Sequence, residues 1–354
     1  MKKRFHTIAK VTLILVYIVI VAGAVVRMTG SGMGCPDWPK CFGYYIPPTE
    51  EAQLLWQPNH FYEDGMVIIV DETLQVAKVD FTTNSTFNPE NWETYTKHDY
   101  AIFNAFHTWV EYINRLFGAL AGIATLLLFI GSCWYWKEKK RITLLSFFVV
   151  AGMGFQAWLG KTVVDSNLAP FKITTHMLMA LLIVAALLYI VHVTSKKIKV
   201  HKDDTTFTKL LYVGIGLTVI QIILGTQVRQ FVDEQVHTIG ETDKSLWLAS
   251  PEWDFYVHRT FSIVVLLVNV WLFYRFRKLA LGFKKIYWVL GLLVLEILSG
   301  VSMYYMDFPF GTQTIHIVLA TILFGVQFYL ILEANKARSK VEKFVNLQSN
   351  FETA

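Results

Sequence analysis

Residues 286–316 read IYWVLGLLVLEILSGVSMYYMDFPFGTQTIH, and this stretch carries the pattern that decides the fold. Its first part, 286–305, is apolar over about 20 residues, the length that crosses a bilayer core as a helix. The 354-residue chain is 54% hydrophobic and only 17% charged, which is too apolar for a soluble domain of this length. We therefore predict an all-α integral membrane protein with eight transmembrane helices, at 8–27, 105–135, 143–163, 173–193, 207–229, 255–275, 286–305 and 313–333.

The basic residues predict the orientation of these helices, because loops rich in Lys and Arg stay on the cytoplasmic side. Both termini are expected in the cytoplasm, and the net charge of +5 reflects this topology rather than a nucleic-acid partner. No small-residue cleavage site follows the first apolar run, and no Arg- and Ser-rich transit peptide is present. We expect a retained first helix and a bacterial plasma membrane, with membrane lipid as the surroundings. The basic clusters lie at 2–4, 137–141, 196–202, 275–285 and 336–343.

The pattern in 286–316 recurs elsewhere and predicts an internal repeat. Gly300 precedes His316 by 16 positions, and Gly160 precedes His176 by the same distance. A polar residue stands four positions before each of these glycines and before Gly225. We predict two four-helix bundles related as parallel repeats, 1–200 and 201–340, with a tail at 341–354. Further matches pair Gly23 and Arg27 with Gly225 and Arg229, and Asn114-Arg115 with His258-Arg259.

Two connections on the outer side are long. The first covers 28–103 and contains an alternating run at 66–70 that predicts a small hairpin. The second is expected at 230–254. Cys35 and Cys41 lie in the first connection, on a side that permits disulfides, and either a structural or a redox role is open. Cys133, near the cytoplasmic end, is expected to be inert.

Four histidines lie near the start of apolar stretches, where an ionisable side chain is costly without a partner. His258 and His316 enter the second bundle from the same side, which suits a bis-histidine heme site. The alternative is hydrogen bonding to neighbouring helices. Arg229 and Arg259 lie at the same end and could bind heme propionates or extend to the membrane surface.

The first bundle carries a different set of polar residues. His107, Glu111 and Asn114 share one face of a helix by their i, i+4, i+7 spacing, and His176 is available from another helix. A carboxylate there is a candidate for proton transfer or for stabilising a cationic intermediate; the alternative is an ion pair with Arg115 or Arg27. Glu296 in the second bundle is explained by interhelical hydrogen bonding, with a proton role as the other possibility.

The segment RMTGSGMGCPDWPKC at 27–41 closely resembles the first outer segment of bacterial heme A synthases of the cysteine-containing kind. Further agreement comes from Glu111-x-x-x-Arg115, His176, His258-Arg259 and His316. The resemblance implies oxidation of the C8 methyl of heme O to the formyl group of heme A, through successive hydroxylations and loss of water. It implies a resident heme b on His258 and His316.

The same resemblance implies roles for the first half. There the heme O substrate would bind, Glu111 would be catalytic, and Cys35 and Cys41 would form a disulfide that takes part in electron transfer. A heme O synthase is the expected partner, because heme O is too apolar to travel freely. No oligomeric state follows from the sequence.

One position departs from the family pattern, which reads Glu-x-x-His-Arg where this chain has Asn114 before Arg115. Either His176 is the single firm ligand of the substrate, or His107 supplies the second. Two helical turns, about 10 Å along the axis, separate His107 from Asn114, and this favours the single ligand. With Arg27 and Arg115, these residues form the predicted substrate site. The alternative functions are a di-heme electron-transfer cytochrome and a heme assembly or transport protein.

Overall fold

The computed structural model of the protein describes residues 2–96, 103–165, 170–195, 201–240 and 242–352. These residues form eight helices that are long and apolar enough to cross a membrane, which confirms an all-α integral membrane protein. Residues 196–200 of one basic cluster lie outside the described residues. The helices are α1 Lys2–Met28, α2 Ala105–Ser132, α3 Lys140–Asp165, α4 Pro170–Thr194, α5 Thr205–Ile239, α6 Trp253–Leu279, α7 Ile286–Tyr305 and α8 Thr312–Glu352.

The predicted ends of α5 and α8 were wrong. The expected outer connection at 230–254 begins with ten residues that continue α5, and α8 runs on through most of the expected tail. Polar residues end the apolar run without ending the helix, since Glu, Gln and Lys are good helix formers. Helix α5 ends instead at Gly240, whose φ of 102° is readily adopted by glycine and rarely by other residues.

The helices pack as two four-helix groups. Helix α1 packs on α2 and α4, and α3 packs on α2 and α4, so α1–α4 form the first bundle. The same neighbours recur among α5–α8, the second bundle. The bundles meet where α8 packs on α1 and α4 and where α4 packs on α5. Their relation as parallel repeats, and the cytoplasmic placement of both termini, stay predictions.

The long connection between α1 and α2 lies at one end of the bundles, which we call the loop end. Its expected hairpin is confirmed: β2 (Val67–Val70) pairs antiparallel with β3 (Thr73–Ala77). Asp71 and Glu72 join them with positive φ angles, as a tight two-residue turn requires. Strand β5 (Trp92–Thr94) adds to β3, and β1 (Phe61–Tyr62) pairs with β4 (Phe81–Thr82).

The start of this connection is held directly on α2. Asp37 accepts hydrogen bonds from the backbone of Phe42 (2.5 Å) and Gly43 (2.9 Å), which closes a tight loop. Burial raises the pKa of Asp37, although these hydrogen bonds act against the shift. A side chain at Gly34 would lie 2.5 Å from the backbone oxygen of His107. The close approach of the loop to α2 therefore requires glycine at position 34.

We expect Gly34→Ala to lower the free energy of unfolding by about 1–3 kcal/mol, because the added methyl overlaps backbone that cannot move aside. The measurement is the apparent unfolding temperature in detergent. Gly216→Ala is the matched control, since a methyl at that exposed position of α5 meets no atom within 4 Å. Equal unfolding temperatures for the two variants would contradict the packing described for the loop.

Candidate functional site

The two histidines of the second bundle face each other near the loop end. The ring centres of His258 and His316 are 6.4 Å apart. A metal held between two imidazoles by bonds of about 2 Å places the ring centres roughly 6 Å apart. Nδ1 of His258 is buried and has no hydrogen-bond partner among the described residues. The spacing therefore fits axial ligation of a heme iron.

Glycines on the neighbouring helices make room for both rings. A methyl on Gly225 of α5 would lie 3.1 Å from Cε1 of His258, and one on Gly300 of α7 would lie 3.6 Å from Cε1 of His316. Packing this close excludes larger residues at position 225 unless the imidazole shifts. Gly225 thus limits where the ring of His258 can lie, whereas a methyl at Gly300 would make ordinary contact with His316.

The surroundings of the two rings differ. The side chain of Gln221 donates to the backbone oxygen of His258 at 3.0 Å. Glu296 instead reaches the imidazole of His316, with Oε2 2.9 Å from Nδ1, and the Ser299 hydroxyl lies 2.8 Å from the same nitrogen. A ligand histidine oriented through Nδ1 keeps Nε2 for a metal.

The first bundle repeats this arrangement of glycines and facing side chains, except that Asn114 replaces one histidine. Gly160 faces Cε1 of His176 at 3.8 Å, and Gln156 donates to the backbone oxygen of His176 at 3.0 Å. Gly23 of α1 faces Oδ1 of Asn114 at 3.9 Å. Asn114 thus occupies, beside α1, the place that His258 occupies beside α5. Within the described ranges, neither Oδ1 of Asn114 nor Nδ1 of His176 has a hydrogen-bond partner, and both atoms are buried.

A cavity of about 1920 Å³, which we call the first-bundle cavity, opens between the helices of the first bundle at its loop end and extends to α5, α8 and neighbouring loop residues of the second bundle. It is larger than the roughly 300–1,000 Å³ of ordinary small-molecule sites, so it has room for a macrocycle. The predicted residues of the first half all line it: Arg27, His107, Glu111, Asn114, Arg115 and His176. The structure therefore brings together the side chains that the sequence placed on three separate helices.

Glu111 is nearly inaccessible to solvent and is held from two sides. Its Oε1 lies 2.5 Å from Nη2 of Arg115, and its Oε2 accepts the backbone N–H of Cys35 at 2.9 Å. The ion pair considered from the sequence is present, with Arg115 and not with Arg27. Arg115 also donates to the backbone oxygens of Asp37 (2.8 Å) and Lys40 (2.9 Å). The position of the carboxylate therefore depends on the loop.

The expected disulfide is confirmed. Cys35 and Cys41 are joined by an S–S bond of 2.03 Å, and both residues are buried. The bond closes the segment whose backbone contacts Glu111 and Arg115, and its redox role stays a prediction. Cys133 is exposed near the other end of α2.

His107 is engaged by the loop. Its Nδ1 lies 2.9 Å from the Ser31 hydroxyl, which lies 2.6 Å from the hydroxyl of Thr29. The ring lines the cavity close to its loop end, within the first turn of α2. This contact gives His107 a partner other than a metal.

The sequence grouped Arg229 and Arg259 together in the second bundle, but the structure places them in different surroundings. Arg229, grouped with the second bundle, lines the first-bundle cavity together with Arg27, and Asp233 contacts both. Asp233 was missed by sequence reasoning, although its position four residues after Arg229 predicts a contact on a helix. Arg259 is exposed, with its guanidinium 5.3 Å from the ring centre of Tyr256. The binding roles of Arg229 and Arg259 stay predictions.

Comparison with known proteins shows the family to which the chain belongs. The family model COX15-CtaA, described as cytochrome oxidase assembly protein, matches residues 6–84 and 83–328. A protein named Heme A synthase from Bacillus licheniformis is 23% identical, over 97% of this chain and 100% of that protein. Proteins of the same name from Ehrlichia ruminantium (strain Gardel; 24%, 89% of each chain) and Flavobacterium psychrophilum (24%, 91% of this chain and 95% of the relative) are similar as well. Because the family model covers most of its length, the chain belongs to the COX15-CtaA family of cytochrome oxidase assembly proteins.

Proposed function

We propose that this membrane protein is a heme A synthase, which oxidises the C8 methyl of heme O to a formyl group and so supplies heme A to terminal oxidases. The observation that carries the proposal is the first-bundle cavity, whose wall combines His176, Glu111 and Asn114. The names of the similar proteins support it. The net change at carbon, CH₃ + H₂O to CHO + 4 H⁺ + 4 e⁻, makes the enzyme an oxidoreductase.

A resident heme b would be held by His258 and His316. Their ring spacing of 6.4 Å and the unpartnered Nδ1 of His258 in the described structure support this assignment. When bound, such a heme supplies one-electron transfer. The protein's own contribution is to fix the two rings, through Gly225 and Gly300 on one side and Glu296 on the other.

Heme O would enter the first-bundle cavity with His176 as its single firm ligand. By analogy with His258 and His316, the position across from it would be that of Asn114, whose amide is a poor iron ligand compared with imidazole. His107 is hydrogen-bonded to Ser31 and lies about two turns away along α2. These features favour an iron with one open face.

Glu111 would act on the substrate as a fixed carboxylate. Its pairing with Arg115 at 2.5 Å stabilises the charged form, and both of its oxygens already accept hydrogen bonds. A preorganised negative charge of this kind stabilises positive charge that develops on a bound substrate. We infer that electrostatic stabilisation, with Oε1 and Oε2 held in place, is the main role of Glu111.

The di-heme cytochrome is the alternative function. It requires a second imidazole across from His176, and that place carries Asn114. A heme O synthase remains the expected partner, since heme O must pass between membrane proteins. The bacterial plasma membrane remains the expected location.

Glu111→Gln is expected to lower heme A formation by a hundredfold or more, roughly the size of a positioned acid, base or charge. The chain is expressed with a heme O source in a host that lacks heme A, and extracted hemes are separated by chromatography and identified by mass. Glu63→Gln, in an exposed part of the loop, is the matched control. Undiminished heme A from Glu111→Gln, with heme retained on the second bundle, would remove Glu111 from the reaction.

Asn114→His is expected to close the open face of the substrate iron. Heme O bound to the wild-type protein should take up added imidazole and show the corresponding spectral change, whereas the variant should already show the spectrum of an iron with two imidazoles. Absorption spectroscopy of both proteins, loaded with heme O, measures this. If neither the spectra nor the response to imidazole differ, the single-ligand site is wrong.

Glu296→Gln is expected to raise the reduction potential of the second-bundle heme, because a carboxylate on Nδ1 makes a ligand imidazole a stronger donor. Spectroelectrochemical titration measures the potential. Glu333→Gln is the control, since this buried carboxylate lies 2.6 Å from Lys285 and about five helical turns along α8 from His316. Equal potentials for both variants and the wild-type protein would show that Glu296 does not act on the ligand.

A further inference from the structure

Two arginines from different bundles meet at the first-bundle cavity. Arg27 lies near the end of α1, and Arg229 comes from α5 of the second bundle. Asp233 lies between them, with Oδ2 2.7 Å from Nη2 of Arg27 and Oδ1 2.7 Å from Nη2 of Arg229. All three side chains line the cavity. One carboxylate shared by two guanidinium groups leaves a single net positive charge on this cluster, which we call the arginine pair.

One hydrogen-bond donor of Arg229 has no acceptor among the described residues. Its Nη2 contacts Asp233 and donates to the backbone oxygen of Arg27 at 3.0 Å. Its Nη1 is buried and has no hydrogen-bond partner in the part of the chain that the structure describes. Leaving a buried donor unsatisfied costs about 1–3 kcal/mol, and more for a charged group. An acceptor that enters the cavity would remove this cost.

The usual concentration of basic residues on the cytoplasmic side does not explain why the arginine pair lies at the loop end. Basic residues concentrate on the cytoplasmic side of membrane proteins, and the loop end is the predicted outer side. The side chains of Arg27 and Arg229 are only 20% and 19% exposed, so they are enclosed by the protein and do not extend into water. Enclosed positive charge facing a cavity is typical of an anion site.

We propose that Arg27 and Arg229 bind a propionate carboxylate of the tetrapyrrole in the first-bundle cavity, with Asp233 holding the two guanidinium groups side by side. The inference rests on the proposed function for the identity of the ligand. Arginine suits this task because its planar group binds a carboxylate through two parallel hydrogen bonds. Arg229 therefore serves the substrate site of the first bundle, although it belongs to a helix of the second.

The test compares heme O with its dimethyl ester, in which the propionates carry no charge. The purified protein with its resident heme is titrated with each compound in a neutral detergent, and Kd is obtained from the absorption change. The wild-type protein should bind the free acid about ten to a hundred times more tightly than the ester, the size expected for hydrogen bonds to a charged group.

The variant Arg229→Gln should lose this preference, with the free acid weakened about tenfold or more and the ester within about twofold of the wild-type value. Arg277→Gln is the matched control, because it also removes one positive charge. Arg277 lies near the C-terminal end of α6, away from the loop end, and donates to the Tyr287 hydroxyl at 3.0 Å. The control should retain the wild-type preference.

Two results overturn the inference. One is equal affinity of the wild-type protein for acid and ester, a measurement that needs no variant and so holds even where Arg229→Gln does not fold. The other is an undiminished preference in Arg229→Gln. If neither compound binds while the second-bundle heme is retained, the proposed function is wrong as well as the inference. If both compounds bind equally, only the inference is wrong.

Discussion

A methyl group on Gly225 would lie 3.1 Å from Cε1 of His258, and methyl groups on Gly300, Gly160 and Gly23 would lie in ordinary contact with the facing side chains, at 3.6, 3.8 and 3.9 Å. Helices that cross a bilayer pack through small residues, since lipid offers no hydrophobic drive for helix association. Here the small residue leaves a space that a ring can fill. The side chain facing each glycine then determines what that space can bind.

The four spaces are built alike but filled unequally. Three face an imidazole and the one beside Gly23 faces Asn114. Glu296 introduces a second difference, because its side chain contacts the ring of His316, whereas the side chain of Gln221 donates to the backbone oxygen of His258. The same arrangement of glycines therefore suits two facing histidine ligands in the second bundle and an accessible cavity in the first. Under the proposed function, these single side chains would divide the chemistry between the bundles.

The loop between α1 and α2 is part of the first-bundle site rather than a connection beside it. The backbone N–H of Cys35 binds Glu111, and Arg115 binds both Glu111 and the backbone oxygen of Asp37. A carboxylate buried in a membrane helix needs such partners, since an unpaired charge there is costly. The disulfide and the hydrogen bonds of Asp37 keep these backbone groups in place. The loop thus supplies the hydrogen bonds that α2 cannot provide for its own side chain.

The sequence by itself determined the membrane helices and the hairpin, because these depend on apolar length or on residues close in sequence, which hydropathy and spacing report directly. The internal repeat predicted the paired histidines, and the family resemblance implied the cysteine bridge. Only the tertiary structure decided that Asp233 joins Arg229 to Arg27 and that Cys35 binds Glu111. The contacts of Arg27 with Asp233 and of Cys35 with Glu111 link residues 206 and 76 positions apart, through the packing of one bundle on the other and of the loop on α2. No local pattern encodes such a distance, because helix spacing relates residues within a few turns and says nothing about which helices become neighbours.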